Sequence, residues 1–213
     1  MHQPEKQVNG PHRQGNTSGH GRLPPTSLFD YRFAMTEHFH WIETTGGPHI
    51  LATAENVASW HGIEGWHDNG PEDRSDYARA CRANGWLSTI PSGDGMVVVL
   101  GGDVGPIAWL PQTDCTSGML IQIIACNGDA AISTLLRNLT LIDPDSLSSA
   151  EQIVFDTGAS GNLVLIDASE SGKSVVNERE TLELRPGRYR LFAFYVDNDV
   201  CKVVIRKLMA VSV

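Results

Sequence analysis

From His40 onward the chain alternates in short runs broken by turn formers. His40-Trp41-Ile42-Glu43-Thr44-Thr45 reads as a strand closed by Gly46-Gly47-Pro48, with His49-Ile50-Leu51-Ala52 as the returning strand. Asp73 to Asn84 place Tyr77, Ala80 and Cys81 at helical spacing, and Gly85 stops the helix. Strand-like runs follow at Trp86–Ile90, Met96–Leu100, Ile107–Leu110 and Met119–Ala125, separated by Gly, Pro or Asp clusters. Asp129 is placed to cap a second helix, in which Ile132, Leu135, Leu136 and Leu139 share a face. The remainder is read as all-β: Ile153–Asp156, Leu163–Asp167, Thr181–Leu184, Tyr189–Val196 and Val203–Leu208, with a Pro186-Gly187 turn before Tyr189.

The predicted fold class is therefore α+β and mostly β. Residues 35–142 form an α+β segment, a mixed sheet with two short helices. Residues 143–213 form a small all-β, sandwich-like segment packed as one unit with it, the junction falling at Asp143-Pro144-Asp145-Ser146. Residues 1–34 are polar and rich in Gly and Pro. They bury too little apolar surface to offset their ordering entropy and are expected to be a disordered leader, with Met35 as the natural start.

Composition narrows the function classes. Of 213 residues, 41% are hydrophobic and 19% charged, which is globular and neither collagenous nor coiled-coil. Sixteen Lys and Arg against 25 Asp and Glu leave a net charge of −9, an unfavourable balance for gripping duplex DNA or an anionic membrane. No apolar run reaches bilayer length, and no signal peptide opens the chain. The expectation is a cytoplasmic protein with no nucleic-acid and no membrane partner. Cys81, Cys115, Cys126 and Cys201 are widely spaced, without a CxxC pair. They are read as small buried hydrophobes rather than a disulfide or zinc framework.

Several fragments imitate catalytic signatures. Gly172-Lys173-Ser174 matches the end of a P-loop, but the loop needs glycine at 167, where this chain has Asp; a turn is expected. Gly101-Gly102-Asp103-Val104-Gly105 lacks dinucleotide spacing and precedes a strand, so it is read as a hairpin loop. Phe155-Asp156-Thr157-Gly158 resembles the active-site turn of aspartic proteases, in which two carboxylates share a proton. A second Asp-Thr/Ser-Gly is missing, and a plain turn is the competing reading; a single-lobe protease-like hydrolase using Asp156 is kept as the alternative function. His38, His40, His49, His61 and His67 are irregularly spaced and lack HExxH, so no metal and no cofactor is expected. Trp41, Trp60, Trp66, Trp86 and Trp109 are taken mainly as core anchors, with Trp60 or Trp66 the most exposed.

Charge supplies the positive hint. Residues 41–142 carry 4 basic and 11 acidic side chains, and Glu64, Asp68, Glu72, Asp73 and Asp76 fall within thirteen residues, interleaved with Trp66 and Tyr77. Such a run is either a solvated face or a docking surface for a basic protein.

At these residues a family resemblance enters. Trp41-Ile42-Glu43-Thr44-Thr45-Gly46-Gly47-Pro48, then Trp60-His61-Gly62, then Asp76-Tyr77-Ala78-Arg79-Ala80-Cys81 resembles the immunity protein 21 family. Ala108-Trp109-Leu110-Pro111 and Leu184-Arg185-Pro186-Gly187-Arg188-Tyr189-Arg190 are also similar to it, so the likeness runs from about Met35 onward. It implies a bacterial, cytoplasmic, non-catalytic inhibitor that neutralises the cognate protein toxin of a polymorphic toxin system. It carries over no catalytic residue and puts Asp156-Thr157-Gly158 in a β-hairpin of the C-terminal half. It makes Gly-Gly-Pro and Trp-His-Gly determinants of the fold rather than contacts. The candidate toxin-binding residues are Glu64, Trp66, Asp68, Glu72, Asp73 and Asp76.

Overall fold

The structure, a computed structural model, describes residues 39–64, 75–102, 105–112, 115–128, 131–135, 151–174, 178–197 and 199–211. These all lie within one compact unit, Met35–Val213. The leader 1–34, the junction 143–146, Asp129, Leu136 and Leu139 lie outside the described residues.

Eleven strands are described: β1 (Trp41–Ile42), β2 (His49–Thr53), β3 (Leu87–Ser92), β4 (Gly95–Leu100), β5 (Ile107–Pro111), β6 (Ser117–Cys126), β7 (Glu151–Asp156), β8 (Asn162–Asp167), β9 (Glu180–Glu183), β10 (Arg188–Asp197) and β11 (Cys201–Ala210). They form a six-stranded sheet, ordered β1-β5-β6-β11-β10-β7, and a five-stranded sheet, ordered β3-β4-β2-β8-β9. A 3-10 turn (Val57–Ser59) and a helix (Asp76–Cys81) lie between β2 and β3, and residues 131–135 are helical. The fold is α+β and mostly β.

Two details differ from the sequence reading. Each described strand pair is antiparallel, so the mixed sheet is two antiparallel sheets. Nor do the C-terminal strands make a sandwich of their own. β7, β10 and β11 extend the first sheet, while β8 and β9 extend the second. The cause is that the chain passes from one sheet to the other four times: between β1 and β2, between β4 and β5, between β7 and β8, and between β9 and β10. β1 and β2 are therefore not a hairpin, and neither are the strands flanking Gly101-Gly102 or Asp156-Thr157-Gly158.

Period-two alternation then builds the core. From the larger sheet, Ile107, Leu120, Tyr189, Leu191 and Leu208 face inward; from the smaller come Leu51, Val98, Leu100, Leu163 and Leu165, and together they pack between the sheets. The central strands of the smaller sheet are apolar on both faces because both are covered. Ile50, Val97, Val99, Val164 and Ile166 point outward and pack under Val57, Trp60 and Ala80. Trp60 is fully buried, and its indole N–H donates to the Ala168 carbonyl at 2.9 Å. That corrects its expected exposure: the ring seals the outer face of the sheet, a burial worth roughly 1.5–3 kcal/mol for a side chain of this kind. On the far side, Ile121, Ile123, Val203 and Ile205 pack against Ala131 and Leu135.

Candidate functional site

The acidic stretch is entered and left at one point. The Tyr77 backbone N–H donates to the Gly62 carbonyl at 3.0 Å, and Asp76 Oδ2 accepts the His61 N–H at 2.8 Å. Gly62 allows this closure: its φ is +59°, and a Cβ there would fall 2.6 Å from the Glu170 carbonyl oxygen. Gly47 is similarly required, because a side chain there would strike the Tyr77 ring. Both glycines thus act on the fold. Ser75 starts the helix by accepting the Ala78 N–H at 3.1 Å.

Two of the six candidate residues are described. The Glu64 side chain is 63% exposed, 3.7 Å from His61 Nδ1. That of Asp76 is only 12% exposed: Oδ1 accepts from Arg79 Nη1 at 2.9 Å while Oδ2 holds the His61 N–H. Asp76 therefore fastens the base of the stretch and has its charge neutralised by Arg79. Trp66, Asp68, Glu72 and Asp73 lie outside the described residues, as does His67.

Beside this base is an open depression of about 810 Å³, bounded by the 3-10 turn, the helix, the β3–β4 tip and the Ser171–Ser174 turn. His61, Arg79 and Lys173 surround it, and the Ser92 hydroxyl lining it is buried without a hydrogen-bond partner among the described residues. Gly172-Lys173-Ser174 is a turn, as read from the sequence: Gly172 N–H donates to the Trp60 carbonyl at 2.9 Å, and Ser174 N–H to that of Ser171 at 3.0 Å. The arrangement suits non-covalent contact with a polar group.

Asp156 ends β7 exposed, and its Oδ1 accepts the Gly158 N–H at 2.9 Å, an Asx turn. Thr157 is fully buried; its hydroxyl donates to the Gly187 carbonyl at 3.1 Å and accepts the Gly187 N–H at 3.0 Å. The triplet ties one inter-sheet crossing to the next and is not a β-hairpin. The described histidines are dispersed. His40 is exposed and bonds Glu180 at 2.7 Å, His61 lies at the acidic base, and His49 is buried. Among the described residues no three His, Cys, Asp or Glu side chains gather as cation ligands. No described helix is long and apolar enough to cross a membrane.

The cysteine reading needs correction. Cys126 and Cys201 face each other in the β6–β11 register, 4.2 Å apart at Cα, and form a disulfide. Cys81 and Cys115 are free but exposed rather than buried. The 75-residue separation hid a pairing that only strand register creates.

Sequence reasoning also missed a polar cluster between the sheets. Arg206 on β11 shares the inward face with Leu208 and is fully buried. Its guanidinium donates to Gln122 Oε1 at 2.9 Å, to the Gly101 carbonyl at 2.5 Å and to the Trp86 carbonyl at 3.3 Å. Burial pushes its pKa down to about 9, opposed by the Glu151 carboxylate, so it stays cationic at neutral pH. On the smaller sheet, buried His49 pairs in register with Asp167, and its Nε2–H donates to the Ile42 carbonyl at 3.2 Å. Burial holds the imidazole below its usual pKa, against the pull of Asp167, and Nδ1 has no partner among the described residues. Asp167 in turn accepts from the Thr45 N–H and hydroxyl and from Ser169 N–H. Arg206 and His49 donate mainly to backbone carbonyls, and Asp167 accepts from backbone N–H groups beside the β1–β2 crossing, which marks the cluster as a fastening of the fold.

Comparison with known proteins completes the picture. No curated protein and no solved structure matches the chain. A family model described as Immunity protein 21 matches residues 40–201, spanning all eleven strands at least in part, and the chain belongs to that family.

Proposed function

We propose that this chain is a non-catalytic immunity protein that binds a cognate bacterial polymorphic toxin in the cytoplasm and blocks it stoichiometrically. Membership of the Immunity protein 21 family is the observation that carries the reading. The concentration of acid in residues 64–76 supports a route: an acidic surface draws in a toxin whose own site is basic because it handles phosphates. Glu64, Trp66, Asp68, Glu72 and Asp73 supply the contact surface in this proposal, and Asp76 holds its base closed. The partner is a protein, with neither nucleic acid nor membrane involved. An Asp156-based protease gains no support, because that carboxylate is engaged in its own turn. Co-expression with the cognate toxin tests the proposal: cells should survive with the immunity chain and die without it. Death in both cases would refute it.

A further inference from the structure

The edge strands β3 and β7, one from each sheet, are joined at one end and parted at the other. At the joined end Glu151 Oε2 accepts the Leu87 N–H at 2.8 Å. At the parted end a cleft of about 340 Å³ runs in between the sheets, where Leu51, Val98, Leu163 and Phe155 make its apolar walls. Met96 and Val154, half-exposed at 50% and 44%, also line it. Sandwiches normally close such ends with side chains; an open apolar cleft flanked by exposed apolar residues is the form of a binding site.

Its polar features point to one kind of occupant. No basic side chain lines the cleft, whereas Asp156 does. The Glu55 carboxylate lies beside Gly158, another lining residue, and accepts the Ser160 N–H at 3.0 Å. Asp94 is exposed in the β3–β4 turn, next to the lining residue Gly95. The Asn56 Nδ2 donor, packed against Gly95, is buried without a hydrogen-bond partner among the described residues. An apolar socket with an acidic rim and one unmet donor complements an apolar side chain presented beside a Lys or Arg, with a backbone carbonyl within reach.

We infer that this cleft between β3 and β7 is an anchor socket for the toxin, taking one apolar side chain flanked by basic residues. The inference rests on the immunity reading and adds a second contact surface to it. The test uses full-length protein carrying ¹³C-methyl methionine, with Met96 assigned through Met96→Leu, titrated with the purified cognate toxin. The Met96 methyl signal should shift on complex formation. Met96→Glu should weaken binding at least tenfold with an unchanged melting temperature, since residue 96 is half-exposed. A complex that leaves Met96 unmoved and binds Met96→Glu as tightly as wild type would overturn the socket and spare the immunity reading. No complex with either protein would overturn both. A Met96 shift driven by protein concentration alone would mean that a second copy fills the cleft, and would also overturn the inference.

Discussion

Arg206 Nη1 lies 2.9 Å from Gln122 Oε1, a charge-assisted hydrogen bond between adjacent strands, sealed wholly inside the sandwich. The same guanidinium reaches the Trp86 and Gly101 carbonyls, which flank β3 and β4 of the opposite sheet, so one side chain joins the two layers by hydrogen bonds. Arg206→Met should therefore destabilise the protein by about 3–5 kcal/mol, because it removes the charged donor from the buried Gln122 Oε1 and Gly101 carbonyl. Arg206→Lys should recover little of that, since an ammonium cannot span the same fork. Urea unfolding of the variants checks both, and wild-type stability in Arg206→Met would contradict the structural role.

His49 makes stability depend on pH in a defined direction. Its folded pKa is depressed below the ordinary 6.5, so below that pH the unfolded chain takes up a proton that the folded chain resists. The stability present above pH 6.5 should thus fall as the solution is acidified, by at most about 1.4 kcal/mol per pH unit, until the folded pKa is reached. Asp167 opposes the depression and Arg206 reinforces it. Thermal melts between pH 7 and pH 5 should show the loss in wild type and a flatter profile in His49→Asn.

The Cys126–Cys201 bridge closes a long stretch of chain, including the segment between β6 and β7. Loop-closure entropy puts its contribution at about 4 kcal/mol when formed. Reduction, or the double change Cys126→Ser and Cys201→Ser, should lower the melting temperature without altering the strand content seen by circular dichroism. An identical melting temperature with and without reductant would show that the bridge does not stabilise the protein.

Charge reversal at the acidic stretch should act on rate. Glu64→Lys combined with Asp68→Lys, Glu72→Lys and Asp73→Lys should slow toxin association about tenfold or more at low salt, the difference shrinking as salt is added. Asp76 is left unchanged because its carboxylate fastens His61 and Arg79. Unaltered association in stopped-flow mixing would remove this surface from the binding site.

What the sequence conveyed and what it hid follow from the range of each interaction. Strands such as β8 and β10 were legible because alternation and flanking turn residues are local signals, as was the helix around Tyr77 and Ala80. Sheet membership was not: Gly46-Gly47-Pro48, Gly101-Gly102 and Pro186-Gly187 reverse a chain equally well within a sheet or between two. Trp60 and Trp66 could not be told apart as the more exposed ring, because nothing local shows that Trp60 lies on a sheet whose strands come from residues 49–53, 95–100 and 162–167. Arg206 had the look of a surface position in Val203-Val204-Ile205-Arg206-Lys207, and its acceptors are 84 to 120 residues away. The acidity of residues 64–76 was plain from the outset, whereas the inward turn of Asp76 needed the partners His61 and Arg79 to become visible.

The most direct measurement is a titration of the purified toxin domain's activity with increasing amounts of this chain. Residual activity should fall in a straight line and end at one equivalent, with the immunity chain recovered at its original mass. Toxin inactivated by a small fraction of an equivalent, in a manner that requires Asp156 or any other single side chain for turnover, would contradict stoichiometric blockade.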